Sequence, residues 1–214
     1  MPPVELAKYP ALTQSLLPIW IPSRDNRIDI GTSQMLASIS LDVFNTFGKP
    51  MQIFSANASN IPRARNAALH GTPIESAEIW GLWVDDDMII TIDLYPYFHA
   101  FVEYALRLPK RHIVVVNYRT AIPEENFRPQ VMRHRVMPGA DNEIFVPQDG
   151  MPRFFSLGTQ GVSGFGLAAG WWPKSYVFHA DEWGEDCYFW ADHPDWELIV
   201  DTGWMPGHKK EVIL

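Results

Sequence analysis

The apolar run Ile79-Trp80-Gly81-Leu82-Trp83-Val84 is followed at once by three aspartates, Asp85-Asp86-Asp87, and then by a second apolar run, Met88-Ile89-Ile90. Asp is depleted in strand interiors and seldom buried without a partner, so a buried strand that ends this way delivers its carboxylates to a sheet edge. There their mutual repulsion is relieved by solvent, by an Arg or Lys, or by a bound divalent cation. In an extended segment side chains alternate, which predicts Asp85 and Asp87 on one side and Asp86 facing away. Such a pair can hold Mg²⁺ or Mn²⁺ together with a diphosphate; the bland reading of the same residues is a solvated acidic turn.

The rest of the chain sets that strand in an alternation. Residues 1–18, with Pro2, Pro3, Pro10 and Pro18, read as an irregular lead-in, and Pro18-Ile19-Trp20-Ile21 as a first strand stopped by the polar cluster Pro22-Ser23-Arg24-Asp25-Asn26. Gly31-Thr32-Ser33 offers an N-cap, after which Met35, Leu36, Ile39 and Val43 recur at helical spacing up to the break at Gly48-Lys49-Pro50. Met51-Gln52-Ile53-Phe54 is a short strand, and Ile61 to Leu69 a helix with Pro62 tolerated in its first turn. Leu94 to Leu108 has the spacing of another helix, broken at Pro109, and Ile113-Val114-Val115-Val116 is a β-branched run suited to a strand covered on both faces. Alternating strands and helices predict an α/β sheet with parallel strands and ligands beyond their carboxyl ends, where Asp85 to Asp87 lie. From Tyr118 onward the chain is irregular, with long loops from Ala121 to Met151 and tight turns around a strand or two between Phe154 and Gly170. The string Gly161-Val162-Ser163-Gly164-Phe165-Gly166 lacks the glycine order of a dinucleotide fingerprint.

Composition narrows the classes. A chain of 214 residues suits one domain, residues 1–214. A formal charge of −8 argues against nucleic acid as a partner, because phosphate neutralisation needs Lys and Arg; a small phosphorylated ligand held through a metal remains open. The single Cys187 excludes an internal disulfide and a thiolate zinc cluster supplied by this chain alone. No stretch approaches the roughly 20 apolar residues of a membrane helix, and Met1 to Pro10 does not read as a signal peptide, so the expectation is no integral membrane segment and a cytoplasmic home. The 9 Trp exceed the usual needs of a core this size, which leaves burial and flat platforms for sugar rings or bases as their two uses.

Three further clusters bear on chemistry. In Trp183-Gly184-Glu185-Asp186-Cys187-Tyr188-Phe189-Trp190 the two acids either favour the positive end of a helix starting near Cys187 or supply a general base held partly desolvated between Trp183 and Trp190; one arrangement can do both. In Asp201-Thr202-Gly203-Trp204-Met205-Pro206-Gly207-His208-Lys209-Lys210, His208 and a lysine can meet a metal and a phosphate, or the segment is a frayed basic tail. In Asn60-Ile61-Pro62-Arg63-Ala64-Arg65-Asn66-Ala67-Ala68-Leu69, one of Arg63 and Arg65 meets phosphate or both make surface ion pairs.

In their order along the chain, Ile21-Pro22-Ser23-Arg24, Arg65-Asn66-Ala67-Ala68-Leu69, Leu82-Trp83-Val84-Asp85-Asp86-Asp87-Met88, and Gly184-Glu185-Asp186 followed by Asp201-Thr202 and His208 resemble the GT-A superfamily of nucleotide-sugar-dependent glycosyltransferases, with the triplet as its DXD motif. The likeness runs from about Ile19 to Lys209. It implies a Rossmann-like single domain with a central, mostly parallel mixed sheet flanked by helices, residues 19–117 as its nucleotide-binding half and 118–214 as its acceptor-binding half. It further implies a UDP- or GDP-sugar donor, a carbohydrate acceptor, and Mn²⁺ or Mg²⁺ held by Asp87, Asp85 and His208. Pro22, Ser23 and Arg24 would border the base, and Arg65, Asp85, Asp86 and Lys209 would approach the ribose or diphosphate. Asp186, beside Glu185, would be the general base of an inverting reaction, and Gly166, Trp171 and Trp172 would line the acceptor side. A nucleotidyltransferase, which would use the same carboxylates but wants a glycine-rich loop after the first strand, and a non-enzymatic carbohydrate-binding protein are the alternatives.

Overall fold

The computed structural model describes residues 6–23, 27–120, 131–132, 145–179 and 185–208. The lead-in is more ordered than its prolines suggest. Two short 3₁₀ turns, Leu6–Lys8 and Pro10–Thr13, bury Ala11 and Leu12, and the Gln14 amide takes the place of a strand neighbour for Trp80: Oε1 accepts from its N–H at 2.6 Å and Nε2 donates to its carbonyl at 3.1 Å.

The first half follows the expected alternation. Strand β1 (Leu17–Ser23) is buried throughout and leads to helix α1 (Ile30–Phe47), which is capped by Asp29 accepting from the Thr32 N–H rather than from within Gly31-Thr32-Ser33, and stopped at Gly48 in the left-handed conformation. Strand β2 (Met51–Asn57) precedes helix α2 (Ile61–Gly71), capped by Asn60 with Pro62 in its first turn. Strand β3 (Glu78–Val84) ends where the aspartates begin, and a two-residue strand β4 (Met88–Ile89) follows them. Helix α3 (Tyr95–Leu106) and strand β5 (His112–Val116) complete the alternation.

The second half contains what periodicity left unread. Beyond two short strands, β6 (Arg119–Thr120) and β7 (Val131–Met132), come β8 (Phe154–Gly158), β9 (Val162–Ser163) and the seven-residue β10 (Leu167–Pro173). Helix α4 (Glu185–Asp192), strand β11 (Glu197–Asp201) and strand β12 (Gly207–His208) finish the described chain. Seven strands form one mixed sheet in the order β2-β1-β3-β10-β5-β11-β8. β1, β2 and β3 are mutually parallel, β5 and β11 are parallel, and β10 inserts antiparallel between β3 and β5, so that five strands run one way and β10 and β8 the other. This is a mixed α/β architecture, with four α-helices among the described residues, of a kind compatible with a Rossmann-like domain.

Register assigns the two faces. Trp80 donates its indole N–H to Ala105 at the end of α3, and Trp171, paired with Trp80, donates to Leu108; these define the α3 face. Trp20, Trp83 and Trp172 cluster on the other face, with ring centroids 4.6–6.4 Å apart, beneath α2 and against Phe165 and Phe178. Gly81 permits this packing, since a Cβ there would lie 2.2 Å from the Trp20 ring. Most of the tryptophans are therefore core. That includes Trp171 and Trp172, at 3% and 0% exposure, whose expected place lining an acceptor is corrected: their rings are buried and hydrogen-bonded to carbonyls, and they offer no platform. Among the described residues no helix is long and apolar enough to cross a membrane.

Candidate functional site

The carboxyl ends of β1, β3, β5 and β11 lie along one edge of the sheet, and the amino end of β10 joins them there. At that edge β3 does not continue extended through its aspartates. The Met88 N–H donates to the Asp85 carbonyl at 3.1 Å, closing a turn with Asp86 and Asp87 at its corner. The alternation argument that paired Asp85 with Asp87 and sent Asp86 away needs an extended segment, and the turn removes that premise.

Each of the first two carboxylates has a definite holder. Arg65, on α2 and only 2% exposed, places Nη2 2.9 Å from Asp85 Oδ1 and 3.3 Å from Oδ2. Its guanidinium lies 5.3 Å from the centroid of the Trp83 ring and 5.7 Å from that of Phe165, so the charge is desolvated on one side by aromatic faces and matched on the other by a carboxylate. Ser23, at the end of β1 and 2% exposed, donates from Oγ to Asp86 Oδ2 at 2.6 Å. Asp86 thus turns toward β1, where Pro22 is also buried. Asp87 occupies the corner next to Met88.

The small sheet β4-β12-β6 brings the distant carboxyl-terminal segment to the same corner. His208 is paired with Met88 on one side and with Thr120 on the other, and neighbouring strands stand about 4.8 Å apart. The backbone of His208 therefore lies beside the residue that follows Asp87. The loop that delivers it is anchored by Asp201, which is fully buried at the end of β11. Arg153 binds Asp201 bidentately at 2.9 and 2.8 Å, and the Gly203 N–H and Trp204 indole donate to it at 3.0 and 2.9 Å.

Asp186 arrives on the first turn of α4, together with Glu185. The segment before α4 is pinned to α2: Asn66 Nδ2 donates to the Phe178 carbonyl at 2.9 Å and its Oδ1 accepts from the Phe178 N–H at 2.7 Å. Lys174 donates to the Leu69, His70 and Thr72 carbonyls at the far end of α2, and burial lowers its ammonium pKa. Neighbouring residues of one helix, Arg65 and Asn66, thus hold Asp85 at the end of β3 and Phe178 ahead of α4.

Tyr118 ties those groups together. It is 6% exposed, and its ring fills the space that a Cβ on Gly166 would occupy, 2.8 Å from Cε1 and Cζ. Gly166 is needed for this close approach, and its carbonyl accepts from the Asp85 N–H at 2.8 Å. Burial pushes the Tyr118 phenol well above its ordinary range; Asp85, Asp186 and Asp87 push the same way, while Arg65 opposes them. One phenol therefore feels both the β3 turn and the first turn of α4.

Of the expected site residues, the structure gathers Ser23, Arg65, Asp85, Asp86, Asp87, Gly166 and Asp186 at this edge, with the backbones of Glu185 and His208. Arg24 and Lys209 lie outside the described residues, as do the side chains of Glu185 and His208. Tyr118, Asn117 and Arg153 were not singled out in the sequence. Tyr118 and Asn117 follow the β5 apolar run directly, so the rule that drew attention to Asp85 applies to them equally. No protein-family model matches the chain, and no curated protein matches it.

Proposed function

We propose that this chain is a metal-dependent glycosyltransferase of the GT-A kind, transferring a sugar from a UDP- or GDP-sugar to a hydroxyl of a carbohydrate acceptor. The observation that carries the reading is the Asp85-Asp86-Asp87 turn at the carboxyl edge of the sheet, held by Arg65 and Ser23, with the His208 backbone alongside Met88 and Asp186 near enough to act on the same buried Tyr118. Two acidic groups on separate elements suit two jobs, one at the leaving group and one at the nucleophile.

The donor set fits a hard divalent cation: carboxylate oxygens at a turn, with the backbone of His208 brought near by β12. Asp87 and His208 would hold it, with Asp85 as their neighbour. When bound, Mn²⁺ or Mg²⁺ offsets the negative charge that develops on the leaving diphosphate. Arg65 fixes Asp85 through their ion pair, and Ser23 orients Asp86, so the turn is set before any ligand arrives. Ser23, Pro22 and Arg24 would border the base, with Lys209 on the diphosphate. Asp186 would accept the proton of the attacking hydroxyl as the new glycosidic C–O bond forms and the sugar–phosphate bond breaks.

Donor turnover tests this. With Mn²⁺ and a panel of UDP- and GDP-hexoses, the reading predicts release or transfer of the hexose and formation of UDP or GDP. Pyrophosphate release from a nucleoside triphosphate with no turnover of any nucleotide sugar would replace it with a nucleotidyltransferase.

A further inference from the structure

The stretch from Ile30 to Asn60, which holds α1 and β2, contains only two charged side chains, Asp42 and Lys49, in a chain that is 20% charged. Both are engaged within the chain: Asp42 accepts from the Tyr95 hydroxyl on α3, and Lys49 Nζ donates to the Gln14 carbonyl at 2.9 Å. The same stretch carries Ile30, Leu41, Phe44 and Ile53, which are four of the eight large apolar side chains exposed among the described residues. Two of them meet at the open end of the sheet. α3 packs against β5 and β10 while α1 packs against β2, and Asp42 and Thr46 line the groove that α1 shares with α3. Phe44 is two residues from each, so at about 100° per residue it points to the other side of α1, toward the β2 end. Ile53 is in register with Ile19 and through it with Leu82, which lies on the Trp80 side of β3, the face that α3 covers.

β2 is a terminal strand of the sheet and pairs, among the described residues, with β1 alone. Native sheets guard an open edge with Lys, Pro or a bulge; β2 has none of these, and all seven of its residues keep unbroken register with β1. The opposite edge, β8, is interrupted by a register shift against β11 and ends at Gly158 with φ +65°. The ladder between β1 and β2 is bounded by the Leu17 N–H donating to the Pro50 carbonyl at 2.9 Å and the Ala58 N–H donating to the Ser23 carbonyl at 3.2 Å. Alternate residues of a strand bond to the same neighbour. Gln52, Phe54 and Ala56 therefore bond to β1, and Met51, Ile53, Ser55 and Asn57 direct their N–H and C=O groups outward.

We propose that β2 is the seam of a homodimer in which two copies of this chain join their sheets antiparallel across a two-fold axis. Such a contact must complement itself. Centred on Phe54, the pairing sets Met51 against Asn57 of the partner subunit and Ile53 against Ser55 of the partner subunit, so all four outward-facing residues find partners. An extended peptide added to the edge would cover Ile53 and leave Phe44 in water, whereas a second copy brings its own α1 alongside and covers both. Charge agrees with this occupant: two copies at −8 repel each other, and the charge-poor side formed by α1 and β2 is where they can approach. The inference is independent of the glycosyltransferase reading.

Sedimentation of the full chain from low to high micromolar concentration tests this in wild type and three variants. Ser55→Pro removes one outward N–H and leaves the bonds to β1 in place. Ile53→Lys puts a charge on a side chain that is already half exposed, and Ser156→Lys does the same at the β8 edge. The expected result is a wild-type dimer, a dissociation constant raised roughly tenfold or more in Ser55→Pro and Ile53→Lys with the circular dichroism spectrum unchanged, and a Ser156→Lys variant that dimerises as wild type does. A wild type that stays monomeric at high micromolar concentration overturns the proposal. So does a dimer that survives Ile53→Lys or a folded Ser55→Pro, or one that Ser156→Lys dissociates.

Discussion

Arg65 carries a full positive charge at 2% exposure, against an Asp85 that is 17% exposed. Removing one member of an ion pair with so little access to water disturbs a buried charge, which costs far more than the pair itself contributes. Arg65→Met is expected to lower stability by about 3 kcal/mol in equilibrium urea unfolding, and adding Asp85→Asn in the same chain should recover part of that loss. A loss below about 1 kcal/mol would mean that the ion pair does not organise the turn. Tyr118 makes a different prediction because its folded pKa is raised above the unfolded value. Below the unfolded pKa the phenol is neutral in both states and its packing is fully available. As pH climbs past that value toward the higher folded pKa, the unfolded state ionises first and stability is lost. Alkaline unfolding should therefore be steeper in wild type than in Tyr118→Phe above about pH 10. Equal slopes would show that burial and the acidic groups around it do not hold the phenol neutral.

At the scale of elements, α2 organises the site: one residue reaches β3 and the next reaches the segment that leads to α4. Gly166 at the start of β10 is the matching element on the sheet. Gly166→Ala would set a Cβ 2.8 Å from the Tyr118 ring and should cost about 1–3 kcal/mol, since inserted volume in a packed site is relieved only by displacement. Tyr118→Ala in the same chain should relieve much of that strain, and a double-mutant cycle that adds without coupling would contradict the contact. These elements differ in how far the sequence disclosed them. The strands and helices from Leu17 to Val116 were legible because apolar runs and helical spacing were broken by Gly, Pro and Asn in the expected places. Leu167-Ala168-Ala169-Gly170-Trp171-Trp172 was not, because an antiparallel strand buried on both faces has no alternation to read and its partners lie far away in sequence. The roles of Trp171 and Trp172 went astray for the same reason. The Asp triplet was legible as a sheet-edge cluster, but its geometry was not. Strand alternation holds only in an extended segment, and the hydrogen bond from the Met88 N–H to the Asp85 carbonyl makes a turn there. Tyr118 carries no charge to draw attention, and only its packing against Gly166 shows that it faces the acidic groups.

For the whole molecule, the consequence is that residues from five separated stretches, around Ser23, Arg65, Asp85, Tyr118 and Asp186, come to one edge of a sheet whose opposite face holds α3. Under the proposed reading, the Asp85-Asp86-Asp87 turn would repel a bare anion, so a diphosphate would need a cation to approach it. Calorimetric titration of UDP and GDP, with and without Mn²⁺, into wild type and Asp87→Ala reads this linkage directly. The account predicts that one nucleotide binds the wild type only with the metal present, and that Asp87→Ala weakens that binding at least tenfold while leaving the fold intact. Metal-independent binding, no binding at all by the wild type, or an Asp87→Ala variant that binds as well as wild type would contradict it.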